Sequence, residues 1–311
     1  MEFWLTVLLF LTGLGLIVRG GDWFLDGAVA LAEATGMPRF LIGATVVSLA
    51  TTLPELMVSV TGVLAGETDL AVGNAVGSVT ANLGLILGLS ALCLPSAVEA
   101  RVFFPKVLLM VAGAGVLFAL CRRGTLHILP SLLLFFVFLL YLAGSILEAK
   151  RGRKDSPPSP AAKGRRKLLS FALGIAAIVL GSRLLITYGS ALALLLGVPA
   201  AVVGVTMVAV GTSLPELVTT LTAISKKEVA LSVGNILGAN VIDLTLILPV
   251  CSALSGGRLS ISPQTRALDL PVCLALSLLA ALPPLLGGRF FRWQGVALLA
   301  VYAAYTAVLV L

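Results

Sequence analysis

Long runs of apolar residues, each ended by glycine, proline or charge, alternate with short polar stretches along this chain of 311 residues. A helix needs about 20 apolar residues to cross the hydrocarbon core of a bilayer. The segments that meet this length are 3–33, 39–64, 70–93, 102–121, 126–147, 168–195, 199–224, 229–254, 267–286 and 290–311. The pattern predicts an all-α integral membrane protein with ten transmembrane helices, because a barrel would show short strands of alternating polarity.

The overall composition is that of a membrane protein. Hydrophobic residues make up 59% of the chain and charged residues 11%, and the mean hydropathy is +1.11. Soluble domains hold about 45–50% apolar and about 25% charged residues. The four cysteines lie in or beside apolar segments without a CxxC spacing, which indicates buried thiols rather than metal ligands or disulfides.

The most polar stretch is 148–167, which carries eight Lys or Arg residues around a Pro/Ser centre. We interpret it as a basic linker between a first unit, 1–147, and a second unit, 168–311. No aromatic residue interleaves with its charges, which argues against a nucleic-acid partner. Positive charge marks cytoplasmic loops, so the linker is predicted in the cytoplasm of a multi-pass cell-membrane protein, with both termini outside.

The chain contains an internal repeat, seen when it is shifted by 161 residues. GATVVSLATTLPEL (43–56) aligns with GVTMVAVGTSLPEL (204–217), and LAVGNAVGSVTANLGLIL (70–87) aligns with LSVGNILGANVIDLTLIL (231–248). Of the 47 aligned pairs from 43–89, 19 are identical. The predicted architecture is therefore two five-helix repeats, and an odd number of spans inverts the second copy. Inverted repeats characteristically build secondary transporters with a site near the midplane of the membrane.

The matched prolines mark where such a site would form. Each interrupts a span, and proline frees a carbonyl because it lacks an N–H and clashes with the residue four positions earlier. Carboxylates follow each proline directly, and hydroxyls precede it. The resulting oxygen donors are Thr51, Thr52, Thr212, Ser213, Glu55 and Glu216. Hard oxygen ligands suit Ca2+, Na+ or Mg2+.

The second matched block adds polar side chains on one helical face. Ser78 and Asn82 are four residues apart, and their equivalents are Ala239 and Asp243. We expect Glu55, Glu216, Asn82 and Asp243 to converge between the repeats. Taken singly, a proline in a span can be a simple kink. Two symmetric glutamates and an aspartate in hydrocarbon, however, require a cation or protons to balance them.

These residues resemble the cation/Ca2+ exchanger superfamily, and within it the prokaryotic sodium/calcium exchanger-like proteins. The resemblance covers both halves and rests on the paired GTSLPE-like and GNxxGSN-like signatures. It implies antiport of Na+ against Ca2+ across a lipid bilayer by alternating access, with the first and sixth helices sliding against the rest. It implies no cofactor beyond the transported ions.

The resemblance also implies a ligand set. Calcium would be held by Glu55 and Glu216 with the carbonyls of Thr51 and Thr212. The flanking sodium sites would use Thr52, Ser78 and Ser213 with the carbonyls of Ser48 and Ala209. Asn82 and Asp243 match the central polar pair. Ala239 stands where the family has a serine, and Val79 stands where the second repeat has Asn240. Asn82 in place of an acid argues against the potassium-dependent branch.

Two other classes are weighed against this interpretation. A Ca2+/H+ antiporter of the same fold stays open, because Ala239 removes a sodium ligand. A membrane enzyme has little support. The single histidine, His127, lies outside the repeats, and no HExxH motif is present.

Overall fold

The computed structural model describes residues 3–155, 165–196 and 213–310. The helices in these ranges are α1 (Phe3–Thr35), α2 (Arg39–Thr51), α3 (Leu53–Leu64), α4 (Thr68–Cys93), α5 (Ala100–Cys121), α6 (Ile128–Asp155), α7 (Arg165–Leu195), α8 (Leu214–Ser225), α9 (Val229–Leu254), α10 (Thr265–Gly287) and α11 (Arg292–Val310). Among the described residues, seven helices are long and apolar enough to cross a membrane, and α2 and α3 form a pair bent by 40° that makes eight if the pair counts as one span. The prediction of an all-α multi-pass membrane protein is confirmed.

Helix boundaries differ from the predicted spans on either side of the basic segment. Helix α6 continues to Asp155, past the predicted end at residue 147, and α7 begins at Arg165. The cause is the composition, since Lys, Arg and Glu are good helix formers that need no apolar environment. The predicted seventh span, 199–224, is described only from residue 213 onward, where α8 forms its second half.

A short antiparallel ribbon joins the two halves at one end of the molecule. Strand β1 (Thr125–His127) pairs with β2 (Arg258–Ser260), and Leu126 lies opposite Leu259, both fully buried. A helix was predicted to begin at residue 126, but residues 125–127 form strand β1. Gly124, just before β1, has a φ of +80°, and this left-handed conformation ends helical geometry before the strand.

Helices α1 and α7 form a closely packed antiparallel pair. A Cβ on Gly13 would lie 3.0 Å from the carbonyl oxygen of Gly181, whereas a Cβ on Gly27 would lie 2.6 Å from Phe171 Cβ. The order of these contacts reverses along the two chains, which defines the antiparallel direction. Phe24 stacks on Phe171 with ring centroids 4.9 Å apart. Small residues thus allow the two long helices to pack backbone to backbone.

The centre of the molecule is the crossing of α2 over α9. A Cβ on Gly43 would overlap the carbonyl oxygen of Leu231, and one on Gly234 would overlap that of Phe40. Only glycine allows this approach. The residues Gly43–Val47 of α2 form a π-helical turn, and the Tyr141 hydroxyl of α6 donates a hydrogen bond to the Ala44 carbonyl within it.

Candidate ion-binding site

In both repeats, the residue just before the LPE triplet has a ψ near 0°, away from the value of a regular helix. Thr52 ends α2 with φ −84° and ψ −2°, and Ser213 precedes α8 with φ −83° and ψ 5°. The prolines then occupy the first turn of α3 and α8, where a missing N–H is tolerated. Glu55 and Glu216 also lie in these first turns, so the positive ends of two helix dipoles point toward their carboxylates.

Each glutamate-bearing helix packs against a π-helical turn of the other repeat. In α4 the π turn is Asn82–Leu87, and in α9 it is Asp243–Ile247. Helix α8 contacts the first of these turns, and α3 contacts the second. Thus Glu216 comes from the helix beside the Asn82 turn, and Glu55 from the helix beside the Asp243 turn. A π turn often marks a functional position within an α-helix.

Three carboxylates are deeply buried in this region. Glu55, Glu216 and Asp243 are each 1% exposed, and none of their six oxygens accepts a hydrogen bond at bonding geometry from the described residues. The carboxylates of Glu55 and Asp243 both lie close enough to Glu216 to repel it electrostatically. All ion pairs found among the described residues lie elsewhere. An unpaired buried carboxylate costs several kcal/mol, so the arrangement requires a cation or protons.

Carboxylates are not the only oxygen donors in this region. Among the described residues, no group of three or more acidic, histidine or cysteine side chains is close enough to hold one metal ion. The other oxygen donors near Glu55 and Glu216 are neutral, since they are hydroxyls and backbone carbonyls of residues such as Ser48, Thr52 and Ser213.

The predicted neutral donors that the structure describes are all buried, but not all are free. Ser48, Thr51, Thr52, Ser78 and Ser213 are each at most 4% exposed. The Ser48 carbonyl already accepts the N–H and the hydroxyl of Thr52, at 2.9 and 2.6 Å. The Ser213 hydroxyl has no described partner. The predicted ligands Thr212 and Ala209 lie outside the described residues.

Two buried asparagines at matched positions form hydrogen bonds beside the acidic turns, although they were not among the predicted ligands. Asn74 donates to the Glu55 carbonyl at 3.2 Å and to the Ser59 hydroxyl at 3.0 Å. Its repeat partner, Asn235, lies at the same position of the second block, and it is fully buried. The signal that could have found them is the identical GN pair in both repeats.

Asn235 connects the two repeats. Its Nδ2 donates to the Thr219 hydroxyl at 3.1 Å, and its Oδ1 accepts from the Thr51 hydroxyl at 3.1 Å. Thr219 in turn donates to the carbonyl of Glu216 at 2.9 Å. A chain of hydrogen bonds therefore runs from the break of the first repeat to the acidic turn of the second. The Thr51 hydroxyl is engaged in this chain, which leaves the Thr51 carbonyl as its predicted ligand atom.

The fold and these residues define a multi-pass membrane protein with unpaired carboxylates buried in its interior, as in ion-coupled transporters. A family model described as sodium/calcium exchanger protein matches residues 5–147 and 166–311. The chain belongs to this family of cation exchangers.

Relatives along nearly the whole chain agree with this assignment. The sodium/calcium exchanger MaX1 of Methanosarcina acetivorans is 32% identical, over 97% of each chain. Inner membrane protein YrbG of Escherichia coli is 33% identical, over 89% of this chain and 88% of its own. A solved structure of the sodium-calcium exchanger NCX_Mj, soaked with Na+ and Sr2+, superposes with a TM-score of 0.86 at 29% identity. The match covers 98% of this chain and 99% of that one.

Proposed function

We propose that this protein is a secondary antiporter that exchanges Na+ for Ca2+ across the cell membrane by alternating access. The observation that carries the proposal is the set of carboxylates Glu55, Glu216 and Asp243, which are buried without described partners. Their negative charge can be balanced by Na+ ions or by one Ca2+, and the two loads compete for the same oxygens. Competition for shared ligands is the physical basis of exchange.

The proposed calcium ligands are the carboxylates of Glu55 and Glu216, with the carbonyls of Thr51 and Thr212. Two carboxylates with neutral oxygens suit Ca2+, which takes six to eight oxygen ligands at flexible geometry. The hydroxyls of Thr52, Ser78 and Ser213 and the carbonyl of Ala209 are proposed for Na+. The Ser48 carbonyl is a weaker candidate, since it already accepts two hydrogen bonds from Thr52.

Ten spans in two inverted repeats form the proposed framework for alternating access. Two features support this topology. The first helix of each half, α1 and α7, run antiparallel to each other, and each acidic helix faces the π turn of the opposite half. A site shared in this way can open to either side when one pair of helices moves against the rest. We propose that the glycine-lined α1–α7 pair is the moving element.

The proposed orientation places residues 148–167 in the cytoplasm and both termini outside. Its support is the distribution of Lys and Arg between the two sides. In this orientation the Lys226 amino group, which contacts Asp22 and Asp26 of α1 at 2.9 Å each, is also cytoplasmic. The β1–β2 ribbon then lies on the outer face.

The test is uptake of radioactive Ca2+ by proteoliposomes that are loaded with Na+ and diluted into Na+-free buffer, with the voltage clamped. We expect uptake that requires the outward Na+ gradient. Glu55→Gln and Glu216→Gln should each abolish it, because each removes a negative charge from the shared site. Exposed Glu99, at the start of α5, supplies the matched control: Glu99→Gln should leave uptake unchanged. Normal exchange by both site variants would contradict the proposal.

A second candidate, Ca2+/H+ antiport, is favoured by one observation. Ala239 lies on α9 four residues before Asp243, is fully buried, and offers no oxygen where Ser78 stands in the other repeat. The same proteoliposomes separate the two candidates. Uptake that ignores Na+ and follows an imposed pH gradient would make the protein proton-coupled, with the three carboxylates as the proton carriers.

A further inference from the structure

The side-chain amide of Asn82 has two chemically opposite ends, and only one of them can bind a cation. Asn82 is fully buried at the start of the α4 π turn, beside the helix that carries Glu216. Its Oδ1 atom is buried and has no described partner. Its Nδ2 atom donates to Asn240 Oδ1 at 3.0 Å. The amide oxygen is thus left free as a ligand, and the NH2 group is engaged elsewhere.

The orientation of Asn82 depends on the orientation of Asn240. Asn240 is also fully buried, and its Nδ2 lies 3.6 Å from the sulfur of Met110, itself fully buried on α5. A thioether sulfur can accept a hydrogen bond but cannot donate one. The NH2 group of Asn240 therefore belongs on the Met110 side, which places its oxygen on the Asn82 side. Amide orientation is assigned from such networks of donors and acceptors.

Reversing Asn82 alone would set its oxygen against the oxygen of Asn240. Reversing both amides would set the Asn240 oxygen against the Met110 sulfur. Either change places two acceptors together in a buried environment, where an unsatisfied polar atom is costly. A reversed Asn82 would also direct an NH2 group, a hydrogen-bond donor, to the face where a cation needs an oxygen.

We propose that Asn240 is a positioning residue that, anchored by Met110, keeps the Asn82 oxygen directed at the transported cation. The inference rests on the proposed function, because it takes Asn82 as a ligand for that cation. It also explains why Asn240 has no polar counterpart. Its repeat partner is Val79, and the residue that matches Asn82 is Asp243, whose carboxylate presents an oxygen in either orientation.

This asymmetry supplies the test. Asn240→Val copies the residue of the first repeat and removes the acceptor, so we expect the half-saturating Ca2+ concentration for uptake to rise about tenfold, with the maximal rate changed less. In the Asn82→Asp background, Asn240→Val should raise the half-saturating Ca2+ concentration by less than about twofold. The reason is that a carboxylate presents an oxygen in either orientation. A purely structural role for Asn240 predicts an equal cost in both backgrounds, and that result would overturn the inference.

Met110→Leu provides a second variant of similar volume that removes only the sulfur acceptor. It should shift Ca2+ dependence in the same direction by a smaller factor, and Asn82→Asp should again suppress the shift. This variant decides the matter if Asn240→Val does not fold.

Wild-type uptake reports on the proposed function separately. If wild-type protein shows no Na+-driven uptake, equilibrium binding of radioactive Ca2+ to the same detergent-purified variants tests the orientation by itself. If Asn240→Val weakens Ca2+ binding less in the Asn82→Asp background than in the wild-type background, the inference is supported although the exchange function has failed. Absence of Ca2+ binding to the wild-type protein would overturn both.

Discussion

The two acidic helices start with the same backbone geometry but differ in the side chains that face them. Thr52 and Ser213 have nearly the same dihedral angles, and both acidic helices have a proline in their first turn. The second blocks diverge, since Asn82 stands opposite Asp243 and Ser78 opposite Ala239. The comparison shows that the two halves share the elements around the acidic residues, whereas the charge and the number of side-chain oxygens differ between them. Variants that exchange or remove matched residues can test this division.

The largest effect is expected where backbone approaches backbone. Gly234→Ala should lower the free energy of unfolding by about 3 kcal/mol or prevent folding. The reason is that its Cβ would overlap the Phe40 carbonyl oxygen, and neither helix can yield without moving the α2–α9 crossing. The measurement is the thermal unfolding midpoint of detergent-purified protein.

Gly115→Ala on α5 is the matched control for this crossing. No described atom lies within 4 Å of its Cβ position, so alanine should be neutral or slightly stabilising through its better helix propensity. Equal midpoints for the two alanine variants would show that the α2–α9 crossing is not tightly packed.

The next effect concerns buried charge outside the site. In the first half, Lys106 of α5 is 2% exposed and pairs with Glu148 of α6. In the second half, Asp269 of α10 is held by neutral groups, the hydroxyls of Tyr305 and Thr265 at 3.0 and 2.9 Å. Lys106→Met should lower the free energy of unfolding by about 3 kcal/mol, because it leaves the poorly solvated carboxylate of Glu148 unpaired.

The double variant Lys106→Met with Glu148→Gln should recover most of this loss, since no unpaired charge then remains. Thermal unfolding midpoints of the wild-type, single and double variants complete the cycle. A double variant as unstable as the single one would show that Lys106 acts through packing of its alkyl chain rather than through its charge.

A smaller effect separates the two matched asparagines. Asn235 bonds to Thr51 and Thr219 and so joins the repeats, whereas the described bonds of Asn74 stay within the first repeat. We expect Asn235→Ala to lower the free energy of unfolding by about 2 kcal/mol and Asn74→Ala to lower it by about 1 kcal/mol. The reason is that each variant leaves buried polar groups without a hydrogen bond. Asn235→Ala should also raise the half-saturating Ca2+ concentration for uptake more than Asn74→Ala does. An equal or larger effect at Asn74 would contradict the assigned bridge.

Sequence patterns predicted the apolar helices, because hydropathy acts locally, and the two matched prolines lie in the first turns of the helices that carry Glu55 and Glu216. The roles of Asn235 and Asn240 were not predicted. Their function depends on partners brought near by the fold, such as Thr51 for the first and Met110 for the second. The π turns also lack a local signature, and the ribbon at residues 125–127 depends on pairing with a segment far along the chain.

The smallest expected effect is the most direct test of the asymmetry between the repeats. Ala239→Ser restores the hydroxyl that Ser78 supplies in the first repeat, in a fully buried position four residues before Asp243. An additional oxygen ligand should lower the half-saturating Na+ concentration by about two- to threefold, the scale of one neutral polar contact. Ser78→Ala should raise it. Ala280→Ser, at a buried alanine of α10, controls for adding a hydroxyl anywhere in the core. Suppose that Ala239→Ser left the Na+ dependence unchanged while Ser78→Ala abolished it. Side-chain ligands for Na+ would then come from the first repeat alone, and Ala239 would not indicate a loss of Na+ coupling.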